Sequence, residues 1–159
     1  MAALHRYEIA RATPEHGAYV ALHMREADAF EVWASHLHTP EGAVVWSMQN
    51  SDECWAGLIN GVPCCLFGVA TSSLIGKVGC PWMLGTREIE KHAIPFLKRS
   101  KVVVDSWKEN YDYLHNYVHT SNKVSIRWLR WLGFKIEDAE PYGALENYFH
   151  RFSMEGEHV

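Results

Sequence analysis

Three charged residues stand at three-residue steps in the sequence, Arg25, Asp28 and Glu31, and the two acids could do acid–base chemistry. A carboxylate held beside a substrate can accept a proton as a general base. Residues three apart are also neighbours on a helix surface, where opposite charges pair. The spacing leaves both interpretations open and favours an ion pair on the protein surface over catalysis.

Histidines and cysteines could bind a metal ion, but their spacing does not suit one. His36 and His38 are close in sequence, and no third ligand stands beside them. The four cysteines form no CxxC pair, and the adjacent Cys64 and Cys65 would point to opposite faces of a strand. Zinc sites need three or four ligands at defined spacings. We therefore expect no metal site and four reduced cysteines.

The composition of the 159 residues is that of an ordinary globular protein, with 48% hydrophobic and 21% charged residues. A net charge of 15 − 19 = −4 argues against nucleic acid as a partner, because phosphate binding needs a basic surface. No run approaches the roughly 20 apolar residues of a membrane span. We expect one domain over residues 1–154, a frayed end at 155–159 and no contact with a membrane.

Hydrophobic periodicity and turn residues predict the elements that would hold these side chains. Thr-Pro-Glu at residues 13–15 and 39–41 predicts two helix starts, and Asn60 followed by Gly61 predicts a tight hairpin. The predicted strands are residues 4–11, 54–59, 62–71, 79–84, 113–119, 134–137 and 148–154. The first predicted helix begins at residue 14, and the others span residues 27–37, 40–49, 95–110 and 122–132.

The first two helices are each predicted to bury an apolar face. A loop that contains Pro141 and Gly143 is predicted to precede the last strand. The apolar face of the first helix consists of Tyr19, Val20 and Leu22. That of the second consists of Phe30, Trp33, Ala34 and Leu37.

The most informative stretch of the chain is residues 122–134, which lies between two apolar strands. Asn122 can cap a helix, and Gly133 can adopt the left-handed conformation that ends one. Phe134 can then fill the core behind the helix. Trp128 and Trp131 are three residues apart, so both cannot be fully buried, and we expect one to meet solvent or a partner.

This stretch resembles the late strand–helix–Gly-Phe unit of the GNAT N-acetyltransferases. In that superfamily an Asn after the fifth strand is followed eleven residues later by Gly-Phe, and here 133 − 122 = 11. The number and order of the other elements are also similar. The resemblance implies an α/β (α+β) fold with a mixed central sheet of about seven strands. It also implies helices on both faces and a fourth and fifth strand that splay apart.

A narrower resemblance joins the chain to the internal core protein A group of T7-like phages and to related uncharacterised phage proteins. It rests on residues 116–118, 122, 125–127 and 129, and on the stretches 55–63 and 81–86. It implies a phage-encoded protein in the cytoplasm of an infected bacterial host, associated with the virion or its assembly. Phage structural proteins would then be its partners.

The GNAT resemblance also implies a site for acetyl-CoA or CoA between the splayed strands, where the pantetheine arm enters. Carried onto this sequence, the cofactor-binding residues are Met83, Leu84, Gly85, Asn122 and Ser125. The acids nearest the usual acceptor region are Glu26, Asp28 and Glu31, and no catalytic residue is assigned among them.

Three departures from the superfamily pattern bear on activity, and one of them is that no carboxylate stands clearly on the fourth strand to act as a base. The phosphate loop at residues 85–95 has one Gly, at its front, and two acids that would repel pyrophosphate. Leu129 stands where many GNAT enzymes have the Tyr that protonates the leaving thiolate, so Tyr113, Tyr117 or water would have to replace it. A gap between residues 84 and 117 filled by Trp82 or Met83 would favour loss of activity.

A basic stripe on the 122–132 helix, formed by Lys123, Arg127 and Arg130, has the spacing of a solvated face. Contact with a CoA phosphate, a viral partner or DNA is the alternative.

Two functions remain for the whole chain. One is an assembly protein with weak or absent acetyl transfer. The other is an active acetyl-CoA-dependent N-acyltransferase for a small amine or protein, with phosphate contacts from the backbone alone.

Overall fold

A computed structural model describes residues 4–158, and its seven strands form one sheet in the order β1-β2-β3-β4-β5-β7-β6. Residues 1–3 and 159, which belong to the predicted domain and the predicted frayed end, lie outside the described residues. The strands are β1 (Tyr7–Arg11), β2 (Glu53–Ile59), β3 (Val62–Ser73), β4 (Val78–Gly85), β5 (Tyr113–His119), β6 (Lys135–Tyr142) and β7 (Asn147–Glu155). The helices are α1 (Pro14–Leu22), α2 (Glu26–His36), α3 (Pro40–Asn50), a 3₁₀ helix (Arg87–His92), α4 (Ala93–Asn110) and α5 (Lys123–Leu132).

The predicted helix starts and hairpin are confirmed, because each depends on local chemistry. The Thr13 hydroxyl accepts the N–H of His16 at 3.2 Å, and the His16 ring accepts the N–H of Thr13 at 3.1 Å. Thr39 caps α3 in the same way, and Pro follows both threonines. Asn60 and Gly61 have φ values of 50° and 81°, as a type I′ turn requires.

The sheet opens between its two central strands. β4 and β5 run parallel and pair at only two positions, Val78 with Tyr113 and Gly79 with Leu114. Both strands continue well beyond that pairing, and the Asn116 side chain bridges the start of the opening by donating to the Pro81 carbonyl at 2.9 Å. The predicted mixed seven-stranded sheet with a splayed β4/β5 pair is confirmed.

Two hydrophobic clusters fill the space on the sheet. The larger lies beneath α4 and α5 and includes the inner face of α4, where Phe96, Val104 and Trp107 are buried. The smaller lies beneath α1 and α3, around Val20 and Leu66. None of the helices within residues 4–158 combines the length and the apolar character needed to cross a membrane.

The inner face of α1 differs from the prediction. Val20 is buried as expected, but Leu22 is 75% exposed and Tyr19 is also exposed. The helix instead turns its small residues inward, and a Cβ at Gly17 would lie 2.9 Å from a Val44 methyl carbon. Close packing of α1 on α3 therefore decides which face of the helix is buried.

The inner face of α2 was also predicted wrongly. Phe30, Trp33 and Leu37 are exposed, and only Ala34 of the apolar stripe is buried. The helix buries Asp28 instead, because that carboxylate has a partner inside the protein. Apolar periodicity indicated an amphipathic helix correctly but not its orientation.

The C-terminal part of the chain is more regular than predicted. β6 includes Pro141, which was expected in a loop, and it can do so because β6 is an edge strand. β7 includes Glu155, and the amides of Gly156 and Glu157 donate to the carbonyls of residues 112 and 108. The frayed end therefore does not begin at Glu155. At the other terminus, β1 starts at residue 7 and not at residue 4.

Candidate active site

A cavity of about 500 Å³ lies where β4 and β5 separate. Residues of α2 and α3 line it on one face of the sheet, and residues of α4 and α5 line it on the other. The gap between Leu84 and Tyr117 is open, and Trp82 and Met83 form part of its wall. The Trp82 indole donates to the Ser51 hydroxyl at 2.7 Å, which holds this ring at the side.

The free edge of β4 faces the opening. The Pro81 carbonyl accepts a bond from β5, and both backbone groups of Gly85 bond to α2. Met83 lies two residues from each, so its N–H and C=O point to the same side of the strand. A strand edge of this kind offers a donor and an acceptor to an extended ligand.

A buried ionic cluster closes the end of the opening beyond Gly85. Arg25 and Asp28 are only 2% and 3% exposed. The guanidinium donates from Nε and Nη2 to the two Asp28 oxygens at 3.0 and 2.8 Å, a bidentate pair, and from Nη1 to Glu90 at 2.9 Å. The predicted surface ion pair is therefore a buried one, because partners from distant segments surround it.

The same cluster joins β4, α2 and α5. Arg25 Nη2 also donates to Ser125 Oγ at 2.9 Å and lies 3.4 Å from Asn122 Oδ1. The Gly85 N–H donates to Asp28 at 2.8 Å, and the Arg25 N–H donates to the Gly85 carbonyl. Burial alone would lower the pKa of Arg25, but the bonds and charges of Asp28 and Glu90 raise it, so the cation is retained.

Glu31 lies one helical turn from Asp28 and has different surroundings. Its Oε1 accepts the Asn122 amide at 2.8 Å and the His119 N–H at 2.9 Å. Within residues 4–158, Oε2 accepts no hydrogen bond, and the side chain lines the cavity. Burial, and then the charge of Asp28, raise the pKa of Glu31 to about 7 against the pull of these two bonds. A carboxyl with such a pKa can exchange protons near neutral pH.

Neither protein-family models nor curated protein sequences matched the chain. Solved structures did match over nearly the whole chain. An acetyltransferase of the GNAT family from Streptococcus pneumoniae has a TM-score of 0.65 at 12% identity, covering 95% of this chain and 99% of its own. The N-acetyltransferase from Staphylococcus aureus Mu50 has a TM-score of 0.70 at 14% identity, covering 94% and 98%. The ribosomal alpha-N-protein acetyltransferase RimL, in complex with coenzyme A, has a TM-score of 0.68 at 8% identity, covering 96% of both chains.

The chain has the GNAT fold. Within that fold, the five residues predicted to bind the cofactor lie around the opening but not in equal roles. Met83, Leu84 and Ser125 line the cavity. Gly85 and Asn122 lie behind the wall, in or beside the Arg25 cluster. The polar groups of Gly85, Asn122 and Ser125 already bond to protein atoms.

Asn122 caps α5 and also orients Glu31. Its Oδ1 accepts the Ser125 N–H at 3.3 Å, so it caps α5 as predicted. Its amide nitrogen is the donor that orients Glu31. Gly133 ends the helix with a φ of 104°, also as predicted. The Asn122 side chain therefore connects the cap of α5 to the candidate base.

The segment expected from the resemblance to be the phosphate loop has few free groups. The N–H groups of Gly85, Thr86 and Ile89 bond to Asp28, Cys64 and Thr86. Glu90 faces Arg25, and Lys91 pairs with Glu88 at 3.3 Å. A bound phosphate would have to replace these acids as the partner of Arg25 and Lys91.

Three other sequence candidates can now be placed. Glu26 is 92% exposed at its side chain and lies 3.7 Å from Arg87, away from the cavity. Tyr113 stacks beneath Arg151 and does not line the cavity, whereas Tyr117 and Leu129 do. Glu31 is therefore the acid that fits a catalytic role.

Trp131 is exposed and Trp128 is partly buried, as expected.

An aromatic wall on the α2–α3 side was not predicted from the sequence. His36 and His38 stack at 5.6 Å, His38 lies 6.0 Å from Trp46, and Tyr142 stacks on Tyr117 at 3.7 Å between ring centroids. All five line the cavity. Burial, and then the neighbouring His38, lower the pKa of His36. In the described part of the chain, no group of three or more His, Cys, Asp or Glu side chains is placed to hold a metal.

Proposed function

We propose that this protein is an N-acyltransferase that takes its acyl group from acetyl-CoA or a similar CoA thioester, and that Glu31 is its general base. The observation that carries the proposal is the position of Glu31 on the wall of the cavity between β4 and β5. Its pKa near 7 and its unbonded Oε2 suit a group that takes a proton from an amine.

The cavity suits the arm of the donor better than its phosphates. Apolar side chains such as Leu97 and Leu129 line it, and the backbone of Met83 offers a strand edge.

Exposed cations of the segment that follows β4 would have to hold the phosphates. Arg87 and Lys91 form only surface ion pairs, which contribute little and exchange readily. The basic stripe of α5 begins at Lys123, beside the Asn122 cap. Bound there, CoA supplies an acyl thioester, and the chain positions the acceptor against it.

An acceptor that arrives as an ammonium would first release one proton to solvent, and Glu31 would take the second proton, which the neutral amine loses as its nitrogen bonds to the acyl carbon. Asn122 and the His119 N–H hold Oε1, which leaves Oε2 for this proton. The carbon–sulfur bond breaks and CoA leaves as a thiolate, which takes up a proton from solvent. Tyr117 lies on the wall but is not required for this balance.

Isothermal titration of the full chain with acetyl-CoA and with CoA tests the proposal. We expect micromolar binding, followed by loss of thioester absorbance when an amine acceptor is added. No binding at millimolar concentrations of either compound would end the proposal.

A second function is favoured by the Arg25 cluster. The cation nearest the phosphate loop is already neutralised by Asp28 and Glu90, and the loop adds Glu88. This suits the alternative in which the chain is a phage assembly protein of the internal core protein A type, with weak or absent transfer. Mass spectrometry of purified virions, together with absent CoA binding, would support that alternative over the enzyme.

A further inference from the structure

We infer that the acceptor of this cavity is a monocation: one ammonium group on an apolar or aromatic body, with no acidic group. The inference rests on the proposed function of the same cavity and names its substrate class. It comes from the charges and aromatic rings of the cavity wall.

The charge of the wall has one sign. Among residues 4–158, the charged side chains that line the cavity are Asp28 and Glu31, and no Lys or Arg lines it. Arg25 is the nearest buried cation, but its Nε, Nη1 and Nη2 all donate to protein oxygens. A carboxylate or phosphate on the acceptor would therefore meet acids without gaining a cation.

The number of positive charges on the acceptor also follows from the wall. The charge of Asp28 is compensated by Arg25 through two hydrogen bonds. Glu31 has no such partner, since its two bonds come from a neutral amide and a backbone N–H. One uncompensated carboxylate suits one ammonium, and a polyamine would leave its further charges without partners.

The aromatic wall specifies the body of the acceptor. Aromatic ring faces attract a cation and pack against apolar groups. Trp46 is 54% exposed on α3, so it can contact a ligand without being displaced from a core. Burial keeps the pKa of His36 below its ordinary value, so this ring does not add a competing positive charge near neutral pH.

Three matched probes test the inference by isothermal titration without any acyl donor, at pH 8, where Glu31 with its pKa of about 7 is ionised. Phenethylamine has the ammonium and the ring, phenylalanine adds a carboxylate, and 3-phenylpropionate has only the carboxylate. We expect phenethylamine to bind at least about tenfold more tightly than the other two probes. The carboxylates of those two probes are repelled by the acidic side chains of the cavity wall. Equal binding of phenylalanine or 3-phenylpropionate would overturn the inference, as would no binding of phenethylamine at millimolar concentration.

Matched variants locate the effect in this cavity. Glu31→Gln should weaken phenethylamine about tenfold by removing the charge, whereas Glu109→Gln, an exposed acid outside the cavity, should change nothing. Trp46→Leu should weaken it about threefold through the lost ring, and Trp131→Leu, which is equally exposed on α5, should not. Equal effects of Glu31→Gln and Glu109→Gln would contradict the inference.

These experiments can reject either of the two proposals without rejecting the other. Phenethylamine that binds but is never acylated by acetyl-CoA would remove the proposed function and leave the acceptor class of the cavity in place. Acylation of phenylalanine as efficiently as phenethylamine would remove the acceptor class and leave the enzyme.

Discussion

Asp28 and Glu31 are two carboxylates one turn apart on α2, and the structure gives them opposite surroundings. Asp28 accepts two bonds from Arg25 and one from the Gly85 amide, and no part of it lacks a partner. Glu31 accepts both of its bonds on one oxygen, forms no ion pair within residues 4–158 and lines the cavity, although the charge of Arg25 also acts on it. A buried acid with a paired cation stabilises the fold, and one without a cation keeps a proton available near pH 7.

The largest effect is expected from removing the acid that lacks a cation. Glu31→Gln should lower kcat for acyl transfer by about 10²–10⁴-fold, which is the usual contribution of a general base. Glu109→Gln, which changes an exposed acid outside the cavity, should keep full activity. Steady-state assays with acetyl-CoA and phenethylamine measure both. Equal activity of the two variants would show that Glu31 is not the base.

Removing the paired cation should mainly affect stability. Arg25→Met leaves Asp28 buried and uncompensated, and we expect a loss of about 3–5 kcal/mol in the free energy of unfolding. Arg87→Met breaks only a surface pair and should cost less than about 1 kcal/mol. Urea denaturation compares the two. A loss below 1 kcal/mol for Arg25→Met would mean that the cluster is not the element that joins α2, β4 and α5.

The pH dependence of stability should separate the two acids again. The pKa of Glu31 is raised from 4.5 to about 7 on folding, so the folded state binds the proton more tightly than the unfolded state. The contribution of Glu31 to the free energy of unfolding is largest below pH 4.5. It decreases as the pH rises to 7, by at most about 3 kcal/mol.

Glu31→Gln lacks this loss and keeps an oxygen for the Asn122 and His119 bonds. Its stability relative to the wild-type protein should therefore increase between pH 5 and pH 8 in urea denaturation. A difference that stays constant over this range would contradict the raised pKa.

The smallest effect concerns the loop that faces the paired cation. Glu90→Gln frees Arg25 Nη1 and removes one acid from the phosphate loop. Because Glu90 is about half exposed, we expect only a two- to fivefold gain in affinity for acetyl-CoA. Glu109→Gln is the control for net charge. Unchanged affinity in Glu90→Gln would show that the loop does not contact the donor phosphates.

Local signals predicted much of the fold. Thr13, Thr39 and Asn122 cap helices because their side chains reach amides three residues away, and Gly133 ends α5 because of its own φ. The splay of β4 and β5 followed from the resemblance of residues 122–134 to a known unit. No periodicity in the sequence indicates it.

The candidate site was less predictable because its parts come from distant segments. The sequence spacing of Arg25 and Asp28 is the same in a surface pair and in a buried one. Burial was decided by Gly85, Glu90 and Ser125, which lie 57 to 100 residues away from their partners in the cluster. The same contacts turned α2 so that its apolar stripe faces outward.

The proton affinity of Glu31 is the property on which this account depends most. Carbon-13 NMR of glutamate-labelled protein, with Glu31→Gln to assign the signal, measures it without any activity. We predict a titration midpoint near pH 7 that falls when phenethylamine binds, because a nearby cation favours the ionised carboxylate. A midpoint near the ordinary value of 4.5 in the free protein would contradict the account.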